Sequence, residues 1–178
     1  MLLLSQTILN KPVLSLRTGG QIAQITSYII NPNNFKVEGF YCYDLVSKEN
    51  LILLYQDVRN IIGQGVIVND HDVLSSPEIL VRLQETLKIN YSLIGKPVVT
   101  ISKEKVGRVK DFAIDNETFY VQKLYVGRSL IKSFGTGQLS VDRTQIIEVT
   151  ETNIIIQELI NPAKVAVPVA TGSFSSSS

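Results

Sequence analysis

Lys96-Pro97-Val98-Val99-Thr100-Ile101 decides the fold, together with the two runs that come after it in the chain. Beyond a charged turn lies Val106-Gly107-Arg108-Val109-Lys110-Asp111-Phe112-Ala113-Ile114-Asp115. Beyond Asn116-Glu117-Thr118 lies Phe119-Tyr120-Val121-Gln122-Lys123-Leu124-Tyr125-Val126. Short β-rich runs separated by turn residues read as a meander of three strands. The chain writes a similar meander earlier, from Lys11-Pro12-Val13-Leu14-Ser15-Leu16 onward.

In that earlier copy Thr18-Gly19-Gly20-Gln21 reads as a tight turn, and Asn31-Pro32-Asn33-Asn34 as another. Ile22 and Tyr28 keep an even spacing while Ile25 and Ile29 break it, so a bulge is expected near Thr26. On Lys36–Asp44, Val37, Gly39, Tyr41 and Tyr43 alternate with Phe40 and Cys42. Leu51–Tyr55 and Val66–Val68 are further short apolar runs.

Lining up the copies pairs Ile22 with Val106, Ile25 with Val109, Tyr28 with Phe112 and Asn31 with Asp115. It also pairs Phe35 with Phe119, Val37 with Val121 and Tyr41 with Tyr125. Farther on, Asp57 is set against Asp142, Ile61-Ile62 against Ile146-Ile147, and Val66–Val68 against Ile154–Ile156. Apolar matches at kept spacing mark one fold written twice. The expected organisation is a barrel at residues 5–70, a helical connector at 71–92, a second barrel at 93–160 and a disordered tail at 161–178. A unit this small gains from a closed sheet that leaves no free edge. In the connector, Ser75-Ser76-Pro77-Glu78 is a helix-start signature, and Ile79, Leu80, Leu83 and Leu87 share a face. The spacing predicts one packing helix over Pro77–Ile89.

Both copies resemble the PRC-barrel family. Ile94-Gly95-Lys96-Pro97-Val98-Val99 and Lys105-Val106-Gly107-Arg108-Val109-Lys110-Asp111-Phe112-Ala113-Ile114-Asp115 follow the family's opening pattern. Tyr55-Gln56-Asp57-Val58-Arg59-Asn60-Ile61-Ile62-Gly63 with Val66–Val68 is similar to its later part. The first copy departs at Asn10, Ala23 and Ser27, and Glu148 stands where the first copy has Gly63. The resemblance implies a mainly β fold, two small PRC-type β-barrels in tandem joined by a short α-helix. It also implies an interaction module. The family includes the cytoplasmic domain of the photosynthetic reaction-centre H subunit and the C-terminal domain of a ribosome-maturation factor, and neither lends a catalytic residue.

Composition narrows the function classes. The 178 residues carry a net charge of +1, which gives no global pull toward nucleic acid or anionic membrane. The single cysteine, Cys42, excludes an intramolecular disulfide and fits a reducing, cytoplasmic setting. Met1-Leu2-Leu3-Leu4-Ser5 is too short for a signal peptide, and no apolar run is long enough for a membrane span. His71 has no second histidine or cysteine beside it, so neither a metal site nor a cofactor is expected. Asp57 and Asp142 read as structural carboxylates bonding backbone amides, against an acid–base pair. Gly19-Gly20 and Gly135-Thr136-Gly137 lack the lysine and helix of a phosphate loop.

What distinguishes the second copy is charge. Lys103, Lys105, Arg108 and Lys110 surround its first turn, where the first copy is neutral. A mixed basic and apolar loop comes later, with Arg128, Leu130, Ile131, Lys132 and Phe134. Arg108 and Lys110 are expected on one strand face, able to join Lys123 or Arg128. A solvated face is the default, and the absence of an aromatic stacking platform weakens an RNA site. The candidate interaction surface is therefore Lys103, Lys105, Arg108, Lys110, Arg128, Leu130, Ile131 and Phe134. The expected function is a non-enzymatic adaptor that binds protein partners. An RNA-linked role in ribosome maturation is the alternative, and homo-oligomerisation is left open.

Overall fold

The computed structural model describes residues 1–128 and 137–160. They form a mainly β structure of two sheets. The chain begins with β1 (Leu2–Leu4) and a one-turn helix α1 (Ser5–Ile8). Next come β2 (Pro12–Ser15), β3 (Gln21–Asn31), β4 (Lys36–Asp44), β5 (Asn50–Leu54), β6 (Val58–Ile62), β7 (Gly65–Val68) and β8 (Leu74–Ser75). The helix α2 (Gln84–Ile89) precedes β9 (Pro97–Thr100), β10 (Lys105–Asp115), β11 (Val121–Arg128), β12 (Gln138–Asp142), β13 (Ile146–Val149) and β14 (Ile154–Ile156).

One sheet runs β6-β7-β2-β3-β4-β5-β8, and the other β13-β14-β9-β10-β11-β12. Strand for strand, the six positions shared by the two orders agree. In each, one parallel contact, β2 with β7 and β9 with β14, joins strands that are otherwise antiparallel. Among the described residues neither path closes by hydrogen bonding into a complete ring.

The bulge expected near Thr26 is present. β3 skips that residue between Ile25 and Ser27 in its pairing with β4. The Thr26 hydroxyl donates to the Tyr41 carbonyl at 3.1 Å. β10 skips Lys110 in the same way against β11. A bulge strengthens the local twist, and a long strand needs this to curl around a small core.

One core runs through both sheets, and Phe40, Phe112, Ile25, Ile114, Leu124 and Ile154 are among its fully buried side chains. The N-terminus ties the sheets together. β1 pairs with β10, setting Leu2 opposite Asp115 and Leu4 opposite Ala113. Ser5 donates its hydroxyl to the buried Asp111 at 2.5 Å, and Tyr28 donates to the Ser5 carbonyl.

The connector departs from the single helix expected over Pro77–Ile89. It is a 3-10 turn at Pro77–Ile79, a second at Val81–Leu83, and then α2. Ser76, which precedes the first turn, makes no capping bond with its side chain. The break is at Leu80, whose φ of −88° and ψ of 69° leave the helical region. The Gln84 side-chain amide donates to the carbonyls of Pro77 and Leu80, which also accept from the backbone N–H groups of Leu80 and Leu83, and so ties the two turns to α2. Tertiary packing sets this geometry. Leu83 joins Ile29 and Ile52 in a second small core on the outer face of the first sheet, with Leu80, Leu87 and Leu54 against it. At the places of Ile52 and Leu54 the second sheet has Ser140 and Asp142, both exposed.

Candidate functional site

The basic residues of the second copy surround one turn and one strand. Lys103 sits at the tip of the β9–β10 turn in left-handed backbone (φ 69°), its N–H donating to the Thr100 carbonyl. Lys105 opens β10. Arg108 is exposed, pairs opposite Gly127 and donates from Nη1 to the Gly95 carbonyl at 2.9 Å. Lys110 is exposed at the bulge, and its stem lies over Gly127, so closely that a Cβ on that glycine would come within 2.7 Å of Lys110 Cε. Arg108 and Lys110 thus flank Gly127, which β12 continues as Gln138. Lys123 is engaged elsewhere, with Asp142 at 3.4 Å. Arg128 ends β11 opposite Gly107. Leu130, Ile131 and Phe134 lie outside the described residues, as does the tail from residue 161.

A second constellation, absent from the candidate residues that the sequence suggests, occupies the seam between the sheets. Lys36 Nζ lies 3.8 Å from the Tyr55 ring centre and 5.2 Å from that of Tyr120. The Arg143 guanidinium lies 4.7 Å from the Tyr120 ring centre and donates to the carbonyls of Val121 and Asn34. A hydrogen bond with the Tyr55 side chain raises the Lys36 pKa, in opposition to burial. These are the aromatic rings missing from the basic face, and both have a cation on them already. Their one trace in the sequence is that the matched positions Lys36 and Tyr120 exchange a cation for an aromatic.

The two aspartates differ in role. β4 sets Gly39 opposite Leu54, and β11 sets Lys123 opposite Asp142, each just ahead of a 3-10 turn. Asp142 therefore stands where Leu54 stands, and Asp57 where Gln145 stands. The pairing of Ile61-Ile62 with Ile146-Ile147 is out of step for the same reason: β13 answers to β6 from its first residue. The cause is loop length, since residues 45–49 join β4 to β5 and 129–137 join β11 to β12. Asp142 is the capping residue, exchanging bonds with Gln145. Asp57 has a carboxyl raised by burial, against the lowering effect of Arg59.

His71 pairs with Asp44 at 2.9 Å. Asp44 is fully buried. Burial pushes its carboxyl up, but the Ser47 hydroxyl and amide, the Val46 amide and His71 outweigh that and hold it at about 2. Cys42 is buried, and its thiol is pushed up to about 12 by desolvation. Among the described residues no three His, Cys, Asp or Glu side chains stand together as a metal site. Among them, too, no helix is long and apolar enough to cross a membrane.

A groove of about 490 Å³ separates the connector from the β5 end of the first sheet, between Tyr55 and Leu54 on one wall and Leu80 and Leu83 on the other. Ile79 and Val81 on its rim are 66% and 79% exposed, enough to count as apolar surface. No curated protein matches the chain. Residues 88–159, which span most of the second sheet and the end of the connector, match the model of the PRC-barrel domain family.

Proposed function

We propose that the chain is a non-catalytic interaction adaptor built from two PRC-type barrels in tandem, acting in the cytoplasm on protein partners. The observation that carries this reading is the agreement of the two sheets. Their six shared strands run in one order. Lys11 and Lys96, at matched places, each send Nζ to a carbonyl, of Gly63 and Glu151. The family match at residues 88–159, with the like strand order of the first sheet, supports reading residues 5–70 as a second unit of the same kind. Rigid paired sheets with chemistry confined to charge and exposed apolar residues suit recognition.

The contact surface in this reading is the Arg128–Phe134 loop with Lys103, Lys105, Arg108 and Lys110. The test is affinity capture with mass spectrometry on the intact chain, a variant lacking residues 130–134, and a variant with the four basic residues changed to Glu. Partners lost from either variant support the surface. If every partner stays bound to both, the surface is withdrawn. The RNA-linked alternative has the exposed Lys105, Arg108 and Lys110 in its favour. Salt-sensitive co-sedimentation with ribosomal particles, lost in the Glu variant, would select it instead.

A further inference from the structure

The two halves fill one strand edge differently. In the second half β1 lies along Ala113–Asp115 of β10, with Leu3 opposite Ile114. The Asn116 N–H donates to the Met1 carbonyl, so Ile114, two residues earlier, turns its own N–H and C=O the same way. In the first half Ile30 takes the place of Ile114, pairing with Val37 as Ile114 pairs with Val121. Val37 sends its N–H across the seam to Phe119, away from β3. Opposite residues of an antiparallel pair both face in or both face out. Ile30 therefore directs its N–H and C=O away from β4, to a part of the edge that β2, paired only as far as Gln24, does not reach. Among the described residues nothing outside its own sheet bonds to either group.

The space beside Ile30 is a cavity of about 240 Å³ between β3, the end of the connector and Phe112. Leu9, Leu93 and Phe112 make its wall apolar, the exposed Ser27 and Ser92 stand at its rim, and no charged side chain lines it. Tyr91 lines it as well. That residue is 8% exposed, and its hydroxyl is buried with no hydrogen-bond partner among the described residues. The Lys96 ammonium, 4.6 Å from the ring centre, fixes the ring from the other side. A buried polar group without a partner is destabilising, so a ligand that pairs it gains affinity.

Three uncommitted polar groups thus border one apolar-walled cavity. A donor and an acceptor side by side on Ile30 ask for an acceptor and a donor side by side, and a ring-closed amide presents both on one edge. A wall without charge asks for a neutral molecule. A volume below the roughly 300–1,000 Å³ of drug-sized sites asks for a small one. We propose that this cavity binds a small, neutral cyclic amide. The Ile30 N–H and C=O pair with the amide edge, and the Tyr91 hydroxyl donates to the second lone pair of the amide oxygen. The site is separate from the adaptor surface, and neither depends on the other.

The probe is δ-valerolactam, titrated at millimolar concentrations into the isotope-labelled full chain while the Ile30 amide resonance is followed by NMR. A saturable shift of that resonance is expected. The N-methyl derivative of the probe, which has no N–H to give the Ile30 carbonyl, should bind about threefold to tenfold more weakly, and so should Tyr91→Phe with the parent probe. Ser27→Trp on β3 and Ser92→Trp on the connector each place a ring at the cavity mouth from a different wall, and each should abolish the shift; if one fails to fold, the other decides. An unmoved Ile30 resonance overturns the proposal. So does equal binding of the N-methyl derivative, equal binding by Tyr91→Phe, or binding that survives in a folded tryptophan variant. Binding that appears only once residues 161–178 are removed overturns it too, because the cavity then belongs to the chain's own end.

Discussion

Lys36 and Tyr120 are antiparallel partners across the seam between the two sheets. On either side of them the Val37 N–H donates to the Phe119 carbonyl and the Val121 N–H to the Phe35 carbonyl, both at 2.9 Å. The carbonyl residues, Phe35 and Phe119, share left-handed φ values of 60° and 61°. The seam therefore reads alike from either half, except in its charges. In the first half Lys36 is the cation and Tyr55 the ring, while in the second Tyr120 is the ring and Arg143 the cation.

Arg143 is the member of this ladder with most to lose. Besides its ring contact it satisfies the Asn34 carbonyl of the first half and the Val121 carbonyl of its own. Arg143→Ala is expected to cost about 1–3 kcal/mol, the range for charge-assisted hydrogen bonds plus a cation–π contact. Arg143→Lys should recover only part, because an ammonium cannot reach two carbonyls in fixed fork geometry. Denaturant unfolding of the two variants measures both. Equal stability of Arg143→Ala and wild type would mean that the seam does not hold the halves together.

Gly107 is expected to tolerate no side chain. Its φ is 156°, and a Cβ there would overlap the Gly127 carbonyl oxygen on the paired strand. That atom belongs to backbone within the sheet, so only separation of β10 from β11 relieves the clash. Gly107→Ala should lose more than about 3 kcal/mol, the size reserved for backbone strain and core disruption. Gly63→Ala, where a Cβ meets nothing within 4 Å, is the control and should change thermal stability little.

Much of the sheet was legible in the sequence because its signals are local. Lys11-Pro12-Val13 and Lys96-Pro97-Val98 both open a strand pair, and broken alternation around Ile25 marked the bulge at Thr26. Signals that depend on distant residues were not legible. Leu2-Leu3-Leu4 has no alternation, and only β10 makes it a strand. The periodicity of Ile79, Leu80, Leu83 and Leu87 suits a straight helix, but packing Leu83 against Ile29 and Ile52 bends the chain at Leu80. The misplacement of Asp57 came from a loop whose length differs between the halves, which similarity of residues cannot locate. The seam went unseen because its four side chains are contributed by β4, the residue before β11 and the turns after β5 and β12, with nothing in sequence to join them.

Lys103 offers a separation of shape from charge. A non-glycine residue in left-handed backbone costs about 1–2 kcal/mol. Lys103→Gly should therefore stabilise the chain by about 1 kcal/mol, since glycine adopts that conformation freely and gives up part of the gain in unfolded-state entropy. If Lys103 also contributes to a contact surface, the same substitution weakens capture of an acidic partner while raising the melting temperature. A lowered melting temperature would mean that the lysine stem holds the turn.

Asp44 sets how the first sheet responds to acid. Its carboxylate accepts from the amides of Val46 and Ser47, the Ser47 hydroxyl and His71, and so anchors the β4–β5 loop to the start of the connector. Its folded-state pKa, about 2, lies below the ordinary aspartate value of 3.8. A carboxyl depressed on folding stabilises the fold fully above its unfolded pKa and loses that contribution as pH falls through the folded one. The contribution is on the order of 2 kcal/mol, present at neutral pH and eroded between about pH 4 and pH 2. Asp44→Asn should be less stable than wild type at pH 7, with the difference shrinking steadily toward pH 2. Urea unfolding across that range reads it directly. A gap between the two proteins that stays constant with pH would mean that Asp44 acts through its shape and hydrogen bonds alone, with no change in proton affinity on folding.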